Sequence, residues 1–353
     1  MEKRKSQVDK YNADKRKKVR ITIAMLIALL VLAVASMLIG QYGVSPIKTI
    51  QILMGIQPTT GEEIHTISSV MMNIRLPRTI AAILIGGALA VAGITYQCVF
   101  RNILVSQDVL GVSTGACTGA AFAIVLDLSA YYIQSFSFVS GMLTVGIVFL
   151  LSRVIKTDRT LSLILAGILV SGLMASVLGY IKYMADPNTH LQSIVFWTMG
   201  DLSTINMQQI LQITIPIVVC ILLIHLNRWK LNFFCYSDEE ATNVGFNIKL
   251  YRLVFLLSST LLVSVAVSVA GSIGWIGLVI PLLVRTIIGT DNSDTLGLSF
   301  VMGATFLLLV DVINRLISTA ELPVSILAGL IGTPIFVICL LLKQREERLA
   351  SYD

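Results

Sequence analysis

The chain has 353 residues, 56% of them hydrophobic and only 13% charged, with a mean hydropathy of +0.85. So large an apolar share excludes an ordinary soluble domain and points to a membrane protein. The net charge of +6 is not read as a nucleic-acid signal, because in a membrane chain the placement of lysines and arginines matters more than their sum.

The first 20 residues, MEKRKSQVDKYNADKRKKVR, are too long and too basic for the n-region of a signal peptide, and the apolar run after them ends at SMLIGQYGVSP without an A-x-A-like cleavage site. A retained first helix is expected. Uncharged runs occupy 21–40, 79–96, 109–126, 128–152, 160–181, 202–227, 253–284, 295–310 and 322–342, and a span needs about 20 apolar residues to cross a hydrocarbon core of roughly 30 Å. The run 253–284 would make one helix of about 48 Å. Gly271, Gly274 and Gly277 interrupt it, so it is expected to split into two spans. The prediction is an all-α polytopic protein of about ten transmembrane helices, with a basic tail over 1–20, a membrane domain over 21–343 and a second tail over 344–353.

An even number of spans puts both termini on one side. Both are basic, which places them in the cytoplasm. This arrangement puts 21 of the 26 lysines and arginines on the inner side. The exceptions are Lys48, Arg75, Arg78, Lys182 and Arg315. Arg75 and Arg78 stand directly before the apolar run in RLPRTIAAILIGGALAVAG (75–93), against the general trend.

Little catalytic chemistry is visible. No G-x-x-x-x-G-K-[ST] phosphate loop occurs, so any drive from ATP needs a partner. His65, His190 and His225 lack ligand spacing, and Cys98, Cys117, Cys220, Cys235 and Cys339 form no C-x-x-C pair. No metal, cofactor or enzymatic activity is expected, and the cysteines read as small core residues. Asp311 and Arg315, four apart on one helix face, can pair, and an ionisable residue inside a span is also a candidate for function. An ion-coupled carrier, the alternative from a different class, would need more such groups in mid-membrane.

Two stretches carry finer expectations. In the helix from Thr160 to Ile181, Thr160, Ser162, Gly167, Ser171 and Gly172 either let neighbouring helices pack closely or line a path for a large solute. In YSDEEATNVGFN (236–247), Ser237 is an N-cap, Glu240 completes a capping box, and Gly245 is a C-cap. Asp238 and Glu239 are first-turn acids suited to the positive helix end. Ala241 and Val244 are expected to share a small apolar face.

Seven segments in order, RLPRTIAAILIGGALAVAG (75–93), FRNILVSQDVLGVSTGACTGAA (100–121), LILAGI (163–168), FWTMGDLS (196–203), SDEEATNVGFN (237–247), VAGSIGWIGLVIPLLVR (269–285) and AELPVSILAGLIGTPIFVICLL (320–341), resemble the FecCD-like permeases of ATP-binding-cassette importers for iron-siderophore, haem and cobalamin. The resemblance implies a ten-span fold in a bacterial plasma membrane, a second permease chain (identical or paralogous), cytoplasmic ATPase subunits and an extracytoplasmic solute-binding protein. It also implies that Arg75, Arg78 and Arg315 face that binding protein, and that the 236–247 segment, with Ser237, Asp238, Glu239, Glu240, Ala241 and Gly245, couples to the ATPase. The chain departs from the family pattern at Leu282, where a His commonly follows the proline, and at Ile103 and Val105, where the family commonly reads RNPLA.

Overall fold

The computed structural model describes residues 2–40, 67–155, 157–317 and 322–350; Lys48 and His65 lie outside the described residues. Twelve α-helices run among the described residues: α1 (Glu2–Leu38), α2 (Leu76–Val99), α3 (Val112–Val125), α4 (Ala130–Val154), α5 (Arg159–Met184), α6 (His190–Met199), α7 (Met207–Leu226), α8 (Asp238–Asn243), α9 (Ile248–Ala270), α10 (Ile276–Ile288), α11 (Asn292–Ile317) and α12 (Val324–Ala350). A π-helical turn, Val70–Arg75, leads into α2, and a 3-10 segment, Arg228–Cys235, precedes α8.

Each of the ten predicted runs is a helix. Eight are long and apolar enough to cross a membrane, and Val112–Val125 and Ile276–Ile288 are shorter apolar helices. The boundaries move where local chemistry sets them. Asn206 and Gln209 form a reciprocal capping box at 3.0 Å in each direction, so α7 starts at Met207 rather than at Leu202. Gly111, at φ 71°, delays α3 to Val112. The long 253–289 run does split: α9 stops at Gly271, at φ 68°, and α10 begins at Ile276. The ten-residue α6 falls in a stretch read as a connection, since it is too short to register as a span.

Contacts between elements sort the helix ends into two sets. At the end holding the start of α1, Lys18 Nζ lies 3.0 Å from Asp294 on α11, and Arg101, just past α2, reaches Asp238 on α8. At the opposite end, the start of α2 meets the ends of α1 and α11 through Arg75 and Arg78, and Val324 N donates to Gly200 O at 3.0 Å. The helices therefore alternate in direction through the bundle.

α2 is the central post. Nearly all of it is buried, because its small residues let neighbouring backbones touch it. A Cβ built on Gly86 would lie 2.4 Å from Gly303 O on α11, and one on Gly93 would lie 2.1 Å from Gly277 O on α10. Without a hydrophobic drive between helices in lipid, such van der Waals contact is what holds a bundle together. By contrast, α5, α7 and α12 keep broad apolar faces exposed.

Candidate functional site

The predicted site residues fall into three separate places. At the end opposite the termini, Arg75, Arg78 and Arg315 converge on the junction of α1, α2 and α11. Arg78 Nε donates to Asp311 Oδ1 at 2.6 Å, and Arg315 holds the other carboxylate oxygen. Arg75 donates to the carbonyls of Met37 (2.8 Å) and Leu38 (3.2 Å), and Arg315 donates to Ser36 O at 3.1 Å. These carbonyls are the last of α1, unsatisfied by the helix itself, and cations suit that end. Asp311 is wholly buried, and the three arginines are only 3–8% exposed. Within this chain the three guanidiniums turn inward. Burial without partners would be very costly, so each is turned inward to oxygen acceptors.

At the termini end, α8 is built as the sequence suggested. Ser237 Oγ accepts from Glu240 N at 3.1 Å and Glu240 Oε2 accepts from Ser237 N at 2.9 Å, the two halves of a capping box. That backbone bond holds the Glu240 carboxyl below the usual carboxylate range. Gly245 takes φ 79°. The N–H of Phe246 reaches Ala241 O (3.0 Å) and that of Gly245 reaches Thr242 O (2.9 Å), the two bonds of a Schellman cap. Two arginines pin the helix: Asp238 Oδ1 accepts from Arg101 at 2.7 Å and from Arg252 at 2.9 Å. Burial pushes the Asp238 carboxyl up, but the hydrogen bonds and charge of Arg252, then of Arg101, outweigh it and leave the group below its ordinary range.

One expectation here fails. Ala241 is fully buried, but Val244 is 70% exposed. Val244 is the C-cap residue, where the chain leaves the helix path and the three-residue spacing no longer sets a shared face. The apolar support comes instead from Phe246, stacked at 4.5 Å on Phe233 and 5.0 Å on Tyr251. Glu239 stays exposed. In the sequence, Arg101 and Arg252 are two of the 21 inner-side basic residues and carry no motif of their own. Arg101 stands out in the structure, because it is one of few residues other than glycine with positive φ, at 52°, and its Nε also donates to Phe234 O at 2.6 Å.

The third place is α5, whose five candidates divide. Asp158 caps the helix, accepting from Thr160 N at 2.9 Å, and the buried Ser162 hydroxyl lies 3.0 Å from Ile155 O and 2.9 Å from Asp158 O. Thr160 and Ser162 thus serve the helix start. Gly167 is packed: a Cβ there would lie 2.2 Å from Val109 O. Ser171 is packed too, with its Oγ 2.4 Å from where a Cβ on Gly111 would stand. Of the five, Gly172 alone meets open space: a Cβ built there has nothing within 4 Å. It lies on an exposed face with Ala175, Ser176 and Gly179.

The histidines and cysteines among the described residues are dispersed. His190 Nε2 lies 3.0 Å from Asp127 Oδ1, and His225 meets Arg228 at 3.1 Å. Cys98, Cys117, Cys220 and Cys339 are buried as expected, whereas Cys235 is exposed.

Long apolar helices that alternate through a bundle, with ion pairs gathered at its two ends and a capped helix presented on one of them, have the architecture of a multi-pass membrane protein. Residues 28–343 match the FecCD transport family. The chain belongs to that family, as a permease subunit of the ABC transporters. It is 35% identical to the molybdate import permease MolB of Haemophilus influenzae, over 90% of this chain and 94% of that protein. It is 36% identical to the hemin transport permease HmuU of Yersinia pestis, over 79% and 85%. A solved structure of a metal-chelate type ABC transporter in an inward-facing conformation superposes with a TM-score of 0.81 at 34% identity, over 91% of this chain and 99% of that one.

Proposed function

We propose that the chain passes an iron-siderophore or related metal chelate from an extracytoplasmic binding protein to the cytoplasm, driven by separate ATPase subunits. Haem or cobalamin is the alternative cargo within the same family. The observation that carries this reading is α8. It is a helix of six residues, capped at both ends and pinned by two arginines, which presents Glu239 and Val244 outward at the termini end. A chain without a nucleotide loop must receive its drive through such a rigid, exposed contact. The termini end is then cytoplasmic, in keeping with its excess of basic residues, and the membrane is the bacterial plasma membrane.

The binding protein docks at the opposite end. Its acidic groups would reach Arg78 and Arg315 only by exchanging with Asp311, so docking and the packing of α1, α2 and α11 are linked. The open face of α5 around Gly172 either lines the path or meets the second permease chain, identical or paralogous. An ion-coupled carrier fits neither the family nor the geometry, since Asp311 is held between two guanidiniums rather than left to bind a coupling ion.

Reconstituted vesicles test this. Uptake of a ferric siderophore should require ATP inside, the ATPase subunits and the binding protein, and should not follow an ion gradient alone. In the same vesicles Gly172→Leu should abolish uptake while thermal stability stays at the wild-type value, because the added side chain meets open space. Ser171→Leu, crowding Gly111, should lower both. Uptake driven by an ion gradient without ATP would overturn the reading. A Gly172→Leu protein that transports normally would remove α5 from the path.

A further inference from the structure

At the termini end, the last turn of α4, the first turn of α5 and the start of α9 enclose a crevice of about 570 Å³. Four basic side chains line it from three separate helices: Arg153, Arg159, Lys249 and Arg252. Asp238 is its acidic lining residue, and that carboxylate is already shared between Arg252 and Arg101. Among the described residues, Arg153, Arg159 and Lys249 form no ion pair, and the crevice keeps a surplus of positive charge. Arg252 is only 5% exposed, and its Nε is buried without a hydrogen-bond partner. A buried guanidinium N–H left unsatisfied is costly and marks a place where an acceptor is missing.

The floor of the same crevice is apolar. Phe149, Leu163, Leu253 and Leu256 line it, and Leu253 is 45% exposed, so the crevice opens along the outer face of the bundle. Arg153 lies in the last turn of α4 and Arg159 in the first turn of α5, the depth at which a spanning helix leaves the hydrocarbon for the headgroups. Separate arginines at that depth can simply snorkel into water. That account does not explain convergence from three helices, or the unsatisfied Nε of Arg252. A soluble phosphate would explain the charge but would leave the apolar floor unused.

We infer that this crevice is a binding site for the phosphate group of an anionic phospholipid, with an acyl chain laid along Phe149, Leu163, Leu253 and Leu256. Basic pockets between spans on the cytoplasmic side are suited to such headgroups. The site shares Arg252 and Asp238 with the anchoring of α8, so an occupying lipid stiffens the base of that helix. The binding itself does not depend on what α8 contacts.

The test uses the full-length chain in nanodiscs of phosphatidylcholine, with or without phosphatidylglycerol, followed by native mass spectrometry of retained lipid and by thermal unfolding. The wild-type protein should retain phosphatidylglycerol and unfold at a higher temperature in its presence. Arg159→Gln and Lys249→Gln, at exposed positions, should each weaken retention by roughly five-fold, from about 1 kcal/mol per basic residue near the surface, whereas Lys249→Arg should keep it. Failure of Arg252→Gln to fold leaves the test intact, because the exposed variants carry it. Equal retention in wild type and both exposed variants would overturn the proposal. Full stabilisation by inorganic phosphate in pure phosphatidylcholine would overturn it in favour of a soluble-anion site.

Discussion

Asp311→Ala should destabilise the protein by roughly 3–5 kcal/mol, the cost of removing one partner from a buried ion pair. The carboxylate has no exposure, and Arg78 and Arg315 beside it have almost none, so neither guanidinium can turn to water when this carboxylate is lost. Arg315 also sits near Arg78 and Arg75, so removing the carboxylate between Arg78 and Arg315 adds to the repulsion among them. The loss should appear as a lower unfolding temperature of the purified full-length chain, with the contact between the end of α1 and the start of α2 opening first. Asp311→Asn, which keeps the shape and one acceptor oxygen, should cost less than Asp311→Ala. If both variants unfolded with the wild type, the arginines would not be clamping the helices, and a purely external role for them would return. Reversing Arg78 to Glu is a poor probe of docking, because it sets a carboxylate against buried Asp311. A loss of docking in that variant would follow from a loss of packing.

The other large effect concerns α8. Gly245→Val forces a β-branched residue into φ 79°, at a cost of roughly 1–2 kcal/mol, and a helix of six residues has little stability of its own to absorb it. Asp238→Ala removes the acceptor that Arg101 and Arg252 share. Both changes should abolish ATP-driven uptake and the stimulation of ATPase activity by the binding protein, while membrane insertion persists. Ala241→Asp would act differently, by burying a carboxylate at a position with no exposure, and would report on folding rather than on contact. Val244→Asp, at an exposed position, tests the contact alone, and uptake should fall without a change in unfolding temperature. Wild-type coupling in Gly245→Val and Val244→Asp together would remove α8 from the drive.

The sequence by itself determined what is local. Ten apolar runs became ten helices because a run too apolar for water and long enough for a bilayer satisfies its backbone only by coiling. The break at Gly271 and both caps of α8 were legible for the same reason, since each depends on residues within a turn of one another. The motifs that carry the family resemblance were equally legible as strings. Only the tertiary structure decided what those residues touch. Arg78 lies 233 residues from Asp311, and Arg101 lies 137 from Asp238. Composition cannot say whether a charge at a helix end looks outward or pairs inward. The same holds for α5, where Gly167, Ser171 and Gly172 are alike as small residues and differ only in what stands opposite them: the carbonyl of Val109, Gly111 and open space. Periodicity assigns a residue to a helix, but burial is set by the neighbour, and in a bundle the neighbour comes from a distant part of the chain.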